Sequence, residues 1–290
     1  MLKKILFPGF SVFIFAAALF SLSAFDWPQE EIESDTFFTY FAHLRGGVIS
    51  PSLVFSGSDQ IKAADEGVVT AVISEHDESP LFESTLGNAV IVAHKDSLVT
   101  VYANLNADEQ EQRAALTNVE QGTPLGTCGS SGWQEGNALL EFQVADLKAK
   151  TLINPRVLMP RFGNELELSI TNLTAVNKKG RTFDFSMTKK LPAGTYKIYR
   201  DSQQRAMPYK TSVFVNGVLA DSVTYDTLTS QNGKICTNGR IKYPLTALYP
   251  DSKKQLAGEV SIPKGHTRIT VTVTDILGKE KSLTYAVEAL

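Results

Sequence analysis

With 290 residues, 43% of them hydrophobic and 20% charged, the chain holds enough apolar material for about two domains and is no candidate for long disorder. A formal net charge of -3, with no basic motif interleaved with aromatic residues, speaks against a nucleic-acid partner. Two cysteines exclude a disulfide framework and a paired-thiolate metal site.

Lys3 and Lys4 precede an apolar run from Ile5 to Leu22, broken by Pro8-Gly9, with small residues Ser21, Ser23 and Ala24 at its exit. That order predicts a secretory signal peptide over residues 1–24, cut after Ser23 or Ala24. The competing reading is a retained membrane anchor, because a run of about 18 apolar residues is near the spanning minimum. No cysteine at the exit suggests a lipid anchor, and no later run is long enough to cross a bilayer. After cleavage no membrane contact is expected, and the mature protein is placed in the periplasm or elsewhere in the extracytoplasmic cell envelope.

Beyond the signal peptide the charge reverses along the chain. Residues 25–163 carry 8 Lys+Arg against 20 Asp+Glu, and residues 164–290 carry 18 against 11. The reversal marks a boundary near 164. It is compatible with halves that attract each other, with a basic face toward an anionic polymer, or with a plain solvated surface. Cys128 and Cys236 fall in different halves; an exported chain could pair them in a disulfide, but only if their α carbons lie close, and two buried free thiols are expected.

Residues 25–46 form an acidic lead into the aromatic stretch from Phe37 to Leu44, of undecided structure, in which His43 has no catalytic signal. A domain is then expected over 47–160. Gly67 reads as a turn before a strand at 68–74, and His76-Asp77-Glu78-Ser79-Pro80 as a polar loop. Residues 87–94 and 99–105 read as the two strands of a central hairpin. Asn106 is expected to cap a short helix over 106–116, with Glu109 as its capping-box partner. A last strand falls at 139–144. Its alternation puts Leu139, Glu141 and Gln143 on one face and Leu140, Phe142 and Val144 on the core face. From 164 to 290, strand signals at 166–170, 182–187, 194–199, 212–215, 223–228, 258–262, 268–274 and 282–287 predict a β-sandwich. Its closing hairpin, around His266, looks immunoglobulin-like. The fold class expected is all-β.

The order Gly87-Asn88-Ala89-Val90-Ile91-Val92-Ala93-His94, Thr100-Val101-Tyr102-Ala103-Asn104-Leu105, Val119-Glu120-Gln121-Gly122-Thr123-Pro124-Leu125-Gly126 and Leu139-Leu140-Glu141-Phe142-Gln143-Val144 resembles a known pattern. It is similar to the catalytic domain of the lysostaphin/LytM-type zinc endopeptidases, which cut peptide cross-bridges in bacterial cell walls. The family pattern runs G-N-x-V-x-I-x-H, T-x-Y-x-H-L, V-x-x-G-x-x-I-G and H-L-H-F-E-V. The resemblance implies a β-sheet groove in which zinc is held by the His and Asp of a first His-x-x-x-Asp motif and by the second His of H-x-H.

Carried over residue by residue, those groups are missing. Leu139 and Glu141 stand at the H-x-H positions, and Asn104 at a histidine that assists the reaction. Ahead of Ala63-Ala64-Asp65-Glu66-Gly67-Val68 the candidate aspartate is Asp59, with Phe55 four residues before it. No catalytic residues, metal ligands or cofactor are therefore expected, although active relatives use zinc. The groove candidates that remain are His94, Tyr102, Asn104 and Glu141. Three readings follow: a non-catalytic envelope protein that binds peptidoglycan or regulates a cell-wall hydrolase, a divergent zinc endopeptidase, and a structural scaffold module.

Overall fold

The computed structural model describes residues 25–74, 85–132 and 138–290. The expected signal peptide and the loop containing His76 lie outside the described residues. Strands make up 49% of the structure and helices 8%, so the all-β expectation holds.

Among the described residues twelve strands occupy the first half: β1 Phe37–Thr39, β2 Leu44–Arg45, β3 Val48–Ile49, β4 Leu53–Phe55, β5 Gln60–Lys62, β6 Gly67–Ile73, β7 Asn88–Ala93, β8 Leu98–Leu105, β9 Asn118–Val119, β10 Pro124–Thr127, β11 Leu140–Asp146 and β12 Thr151–Ile153. Eleven follow: β13 Thr174–Asn177, β14 Thr182–Asp184, β15 Lys190–Leu191, β16 Gly194–Asp201, β17 Lys210–Val215, β18 Val218–Gln231, β19 Lys234–Asn238, β20 Tyr243–Pro244, β21 Lys254–Ile262, β22 Gly265–Thr274 and β23 Glu280–Ala289. The expected strand at 166–170 is irregular. Its apolar residues still pack, Leu168 against Ala206 and Val273, but Ser169 N–H donates to the Gln203 side chain instead of to a neighbouring strand.

One main sheet runs β15-β23-β22-β17-β18-β12-β11-β8-β7-β6-β9, with β4 on the free edge of β11. The strand that makes it continuous is β18. Its first part pairs with β17, from Val215↔Val218 to Lys210↔Thr224, and its later part pairs with β12 through Thr227, Leu228 and Thr229. The two halves thus share one hydrogen-bonded sheet. A second sheet, β14-β13-β16-β21, covers the C-terminal part, and Ile198, Val213, Val260, Val271 and Val287 fill the space between the layers.

The larger core ignores the charge boundary. Trp27, Phe37 and Phe41 of the lead segment, Phe55, Tyr102 and Phe142 of the first half, and Tyr225, Tyr243, Leu248 and Tyr249 of the second form one buried cluster. Polar contacts cross the same junction. Tyr249 hydroxyl donates to Ala42 carbonyl at 2.9 Å, and Asn154 bonds the Asp226 and Tyr225 carbonyls through its backbone N–H and its side-chain amide.

The expected helix is shorter than its sequence signal: a 3-10 turn at Ala107–Glu109 leads into α1, Gln110–Ala114. Asn106 does cap the turn, accepting from Asp108 N–H. The capping box does not form. Glu109 turns its carboxylate to Thr127 N–H at 2.7 Å and to Arg113, because Arg113 is buried beneath it and needs a counter-charge. Cys128 and Cys236 are both free, with Cys236 buried and Cys128 half-buried.

Candidate functional site

Strand register decides which side chains meet. Glu141 on β11 lies opposite Val54 on β4 and Ala103 on β8, and Ala103 lies opposite Ala89 on β7. Directly opposite residues share a face, so these four form one strip across the sheet. Tyr102 pairs with Phe142 and Val90 and therefore points to the other side. It is fully buried there, its hydroxyl accepts from Ala64 N–H at 2.8 Å, and burial pushes its pKa up to about 12.

Two groove candidates are thereby relocated. Tyr102 is a core residue. His94 also sits on that side, its ring edge-on to Phe25 at 5.1 Å, with Nδ1 against the Glu66 carbonyl and Nε2 against Thr100 Oγ1, both at 2.7 Å. The one-residue alternation of a strand explains the misplacement, since a motif read as a string does not say which face each letter serves.

Asn104 stays at the end of the strip but is fully engaged. Its amide nitrogen donates to the carbonyls of Gly129 at 2.8 Å and Leu139 at 2.7 Å, and its amide oxygen accepts from Gly132 N–H at 2.7 Å. Its φ of 66° lies in the left-handed region that asparagine tolerates better than most residues. Asn104 thus ties the end of β8 to the 129–132 loop and to the entry of β11. Replacement by histidine, the family's residue, removes the amide bridge and adds strain at that φ. Asn104→His is expected to lower stability by about 2–4 kcal/mol, measured by chemical denaturation.

Around Glu141 the sequence reading had Gln143 on the same face and missed two neighbours, Arg45 and Ser52. Arg45 Nη1 lies 3.0 Å from one carboxylate oxygen, Ser52 hydroxyl donates to the other, and Gln143 Nε2 donates to Ser52 Oγ at 2.9 Å. Glu141 is 4% exposed, and Val54, Ala103 and Ala89 beside it are 0% exposed, so the strip is closed over. Arg45 arrives on the β2–β3 hairpin, whose tip Gly46-Gly47 has φ values of 56° and 78°. A two-residue turn with both φ positive is the tight hairpin connection, and the Gly-Gly pair was its available signal.

The same contacts correct the first-motif assignment. The side chain that reaches Glu141 from the entry to β4 is that of Ser52, and four residues upstream of Ser52 stands Val48. Phe55 instead lies in the core, 5.8 Å from Trp27 and 5.9 Å from Phe37 between ring centroids. Asp59 sits beyond the strand, its carbonyl accepting from Cys128 N–H.

These residues do not fit zinc. Around Glu141 the structure offers a hydroxyl, a carboxamide and a guanidinium, where a zinc site needs about three nitrogen, thiolate or carboxylate ligands. Among the described residues no three His, Cys, Asp or Glu side chains converge to hold an ion. Of the other histidines, His43 is buried at the junction of the halves and His266 is exposed beside Glu288.

Comparison with known proteins follows the same outline. The model of Peptidase family M23 matches residues 52–155, and a second family model, which carries no description of function, matches residues 167–289. An uncharacterized protein of Treponema pallidum (strain Nichols) is 32% identical over 128 residues, 41% of this chain and 85% of that protein. Among solved structures, a catalytic-domain variant of the prophage-encoded M23 protein EnpA from Enterococcus faecalis is 21% identical, covering 40% of this chain and 86% of that one, with a TM-score of 0.30. A zinc-containing peptidase from Vibrio cholerae is 19% identical over 42% of this chain and 36% of its own, with a TM-score of 0.29. Helicobacter pylori Csd3 is 19% identical over 50% and 35%, with a TM-score of 0.33. Residues 52–155, the part of the sheet that carries Ser52, Asn104 and Glu141, form a domain of peptidase family M23.

Proposed function

We propose that this is an exported, non-catalytic cell-envelope protein that acts on the cell wall by binding, either to peptidoglycan or to a hydrolase that cuts it. The observation that carries the reading is that Asn104 and Glu141 are both engaged in contacts within the chain, beside an apolar Leu139. Asn104 is consumed in three hydrogen bonds, Leu139 is apolar and Glu141 is paired with Arg45. Hydrolysis of a peptide bond needs an activated water and a group to stabilise the developing oxyanion, and these side chains supply neither. Export rests on the basic, apolar and small-residue order of residues 1–24. Among the described residues no helix is long and apolar enough to cross a membrane.

Closure of the strip around Glu141 moves the expected contact away from the family groove. The surface outside it offers the rim turn with α1 and the basic C-terminal half, whose immunoglobulin-like likeness belongs to this proposal. The continuous sheet through β18 suits the scaffold reading as well, because it holds the two halves in one fixed relation.

Purified residues 25–290 incubated with cell-wall sacculi test the proposal. Co-sedimentation without release of soluble fragments is expected or, failing that, a changed rate of digestion by an added wall hydrolase. Metal-dependent release of fragments by the chain alone would establish the endopeptidase reading instead. Neither binding nor a changed rate would leave the scaffold reading and overturn this one.

A further inference from the structure

We infer that the Arg45 guanidinium has taken over the place and charge of the family's metal, so that an ion pair inside the chain holds together what a cation holds in active relatives. This rests on the non-catalytic reading and names what replaced the lost centre. Three separate segments meet at the site: the β2–β3 hairpin brings Arg45, the residue just before β4 is Ser52, and β11 brings Glu141 and Gln143.

The geometry is that of a satisfied cation site. One Glu141 oxygen faces Arg45 at 3.0 Å, and the other accepts from Ser52, with Gln143 Nε2 at 3.4 Å from it. Charge-assisted hydrogen bonds of this kind are about twice as strong as neutral ones, and burial strengthens them further. The arrangement is also exclusive. A divalent ion on the Glu141 carboxylate would meet the guanidinium at contact distance, beside the fully buried Val54 and Ala103. Reaching zinc-like coordination would require expelling Arg45, and the other side chains at the Glu141 carboxylate are the Ser52 hydroxyl and the Gln143 carboxamide.

Removing one member of a buried ion pair strands the other, which costs more than removing both. Thermal unfolding of Arg45→Gln, Glu141→Gln and the double variant, each with added zinc and with chelator, tests the assignment. Each single change is expected to lower Tm by about 5–10 °C, and the double variant is expected to lie no lower than the worse single one. Arg45→Lys keeps a cation without the planar fork and is expected to lose less than Arg45→Gln, which keeps the test usable if the harsher variant does not fold. Wild-type Tm is expected to be the same in zinc and in chelator.

Single effects that add in the double variant, with no zinc retained, would overturn the role of Arg45 and leave the non-catalytic reading standing. Near-stoichiometric zinc in the wild type, lost in Glu141→Gln and accompanied by release of wall fragments, would overturn both.

Discussion

A chain ending at residue 163 is expected not to fold, although it contains the whole M23 match at residues 52–155. Such a truncation removes β18, the partner of β12, and with it the hydrogen bonds at Thr151, Leu152 and Ile153. It removes Tyr225, Leu228, Tyr243, Leu248, Tyr249 and Leu256 from the cluster that also contains Trp27, Phe41 and Phe142. Each large apolar side chain left exposed gives up roughly 1.5–3 kcal/mol. Four such losses already match the roughly 5–15 kcal/mol that stabilises an ordinary domain. The intact protein is accordingly expected to unfold in a single transition, with calorimetric and van't Hoff enthalpies in agreement. Two resolved transitions, or a folded 25–163 fragment with dispersed amide resonances, would show that the halves are independent after all.

That coupling was not legible in the sequence, and the reason is specific. The charge reversal near 164 reads as a seam, but charge reports on surfaces, and the surface changes sign where the core does not. Strand signals at 212–215 and 223–228 located β17 and the middle of β18. Nothing local says that one strand serves β17 with its first part and β12 with its last, because pairing partners are set by tertiary packing. The central hairpin was legible for the opposite reason. The runs at 87–94 and 99–105 carry β-branched residues around a short polar turn, a local pattern with one good solution.

The site divides in the same way. Glu141 was found because it lies inside a long contiguous motif, and its position follows by counting. Ser52 and Arg45 were missed because they reach it from 89 and 96 residues away in sequence. No spacing rule connects a Gly-Gly hairpin tip to a distant strand. Phe55 and Asp59 satisfied the spacing of the first motif, but the register of β4 puts Phe55 on the core face. The three hydrogen bonds of Asn104 were not legible, since they run to backbone groups that any sequence could supply.

The stability of the folded protein is expected to fall as pH drops from 6.5 toward 4, with His43 as an identifiable source. This side chain lies at the junction of the halves, 7% exposed, with its ring 5.4 Å from that of Tyr40. Tyr40 N–H donates to its Nδ1 at 3.4 Å, a contact that requires an unprotonated Nδ1. Burial is the main cause that lowers its pKa from 6.5 to about 4, and the nearby Arg200 guanidinium adds to the effect. The backbone carbonyls of Ala206 and Gln203 act in the opposite direction without reversing it. The sign follows from proton counting. Below pH 6.5 the unfolded chain takes up a proton at this position, while the folded chain takes it up only below about pH 4. The contribution of His43 is therefore complete above pH 6.5 and is lost through that window, reaching about 3 kcal/mol at its lower end. Carboxylates titrate in the same range, so the informative quantity is the difference between wild type and His43→Gln in urea unfolding at a series of pH values. The variant is expected to be less stable at pH 7 and to show a shallower fall, with the two curves converging near pH 4. Parallel curves would mean that His43 binds its proton equally in both states, and the buried neutral imidazole would have to be given up.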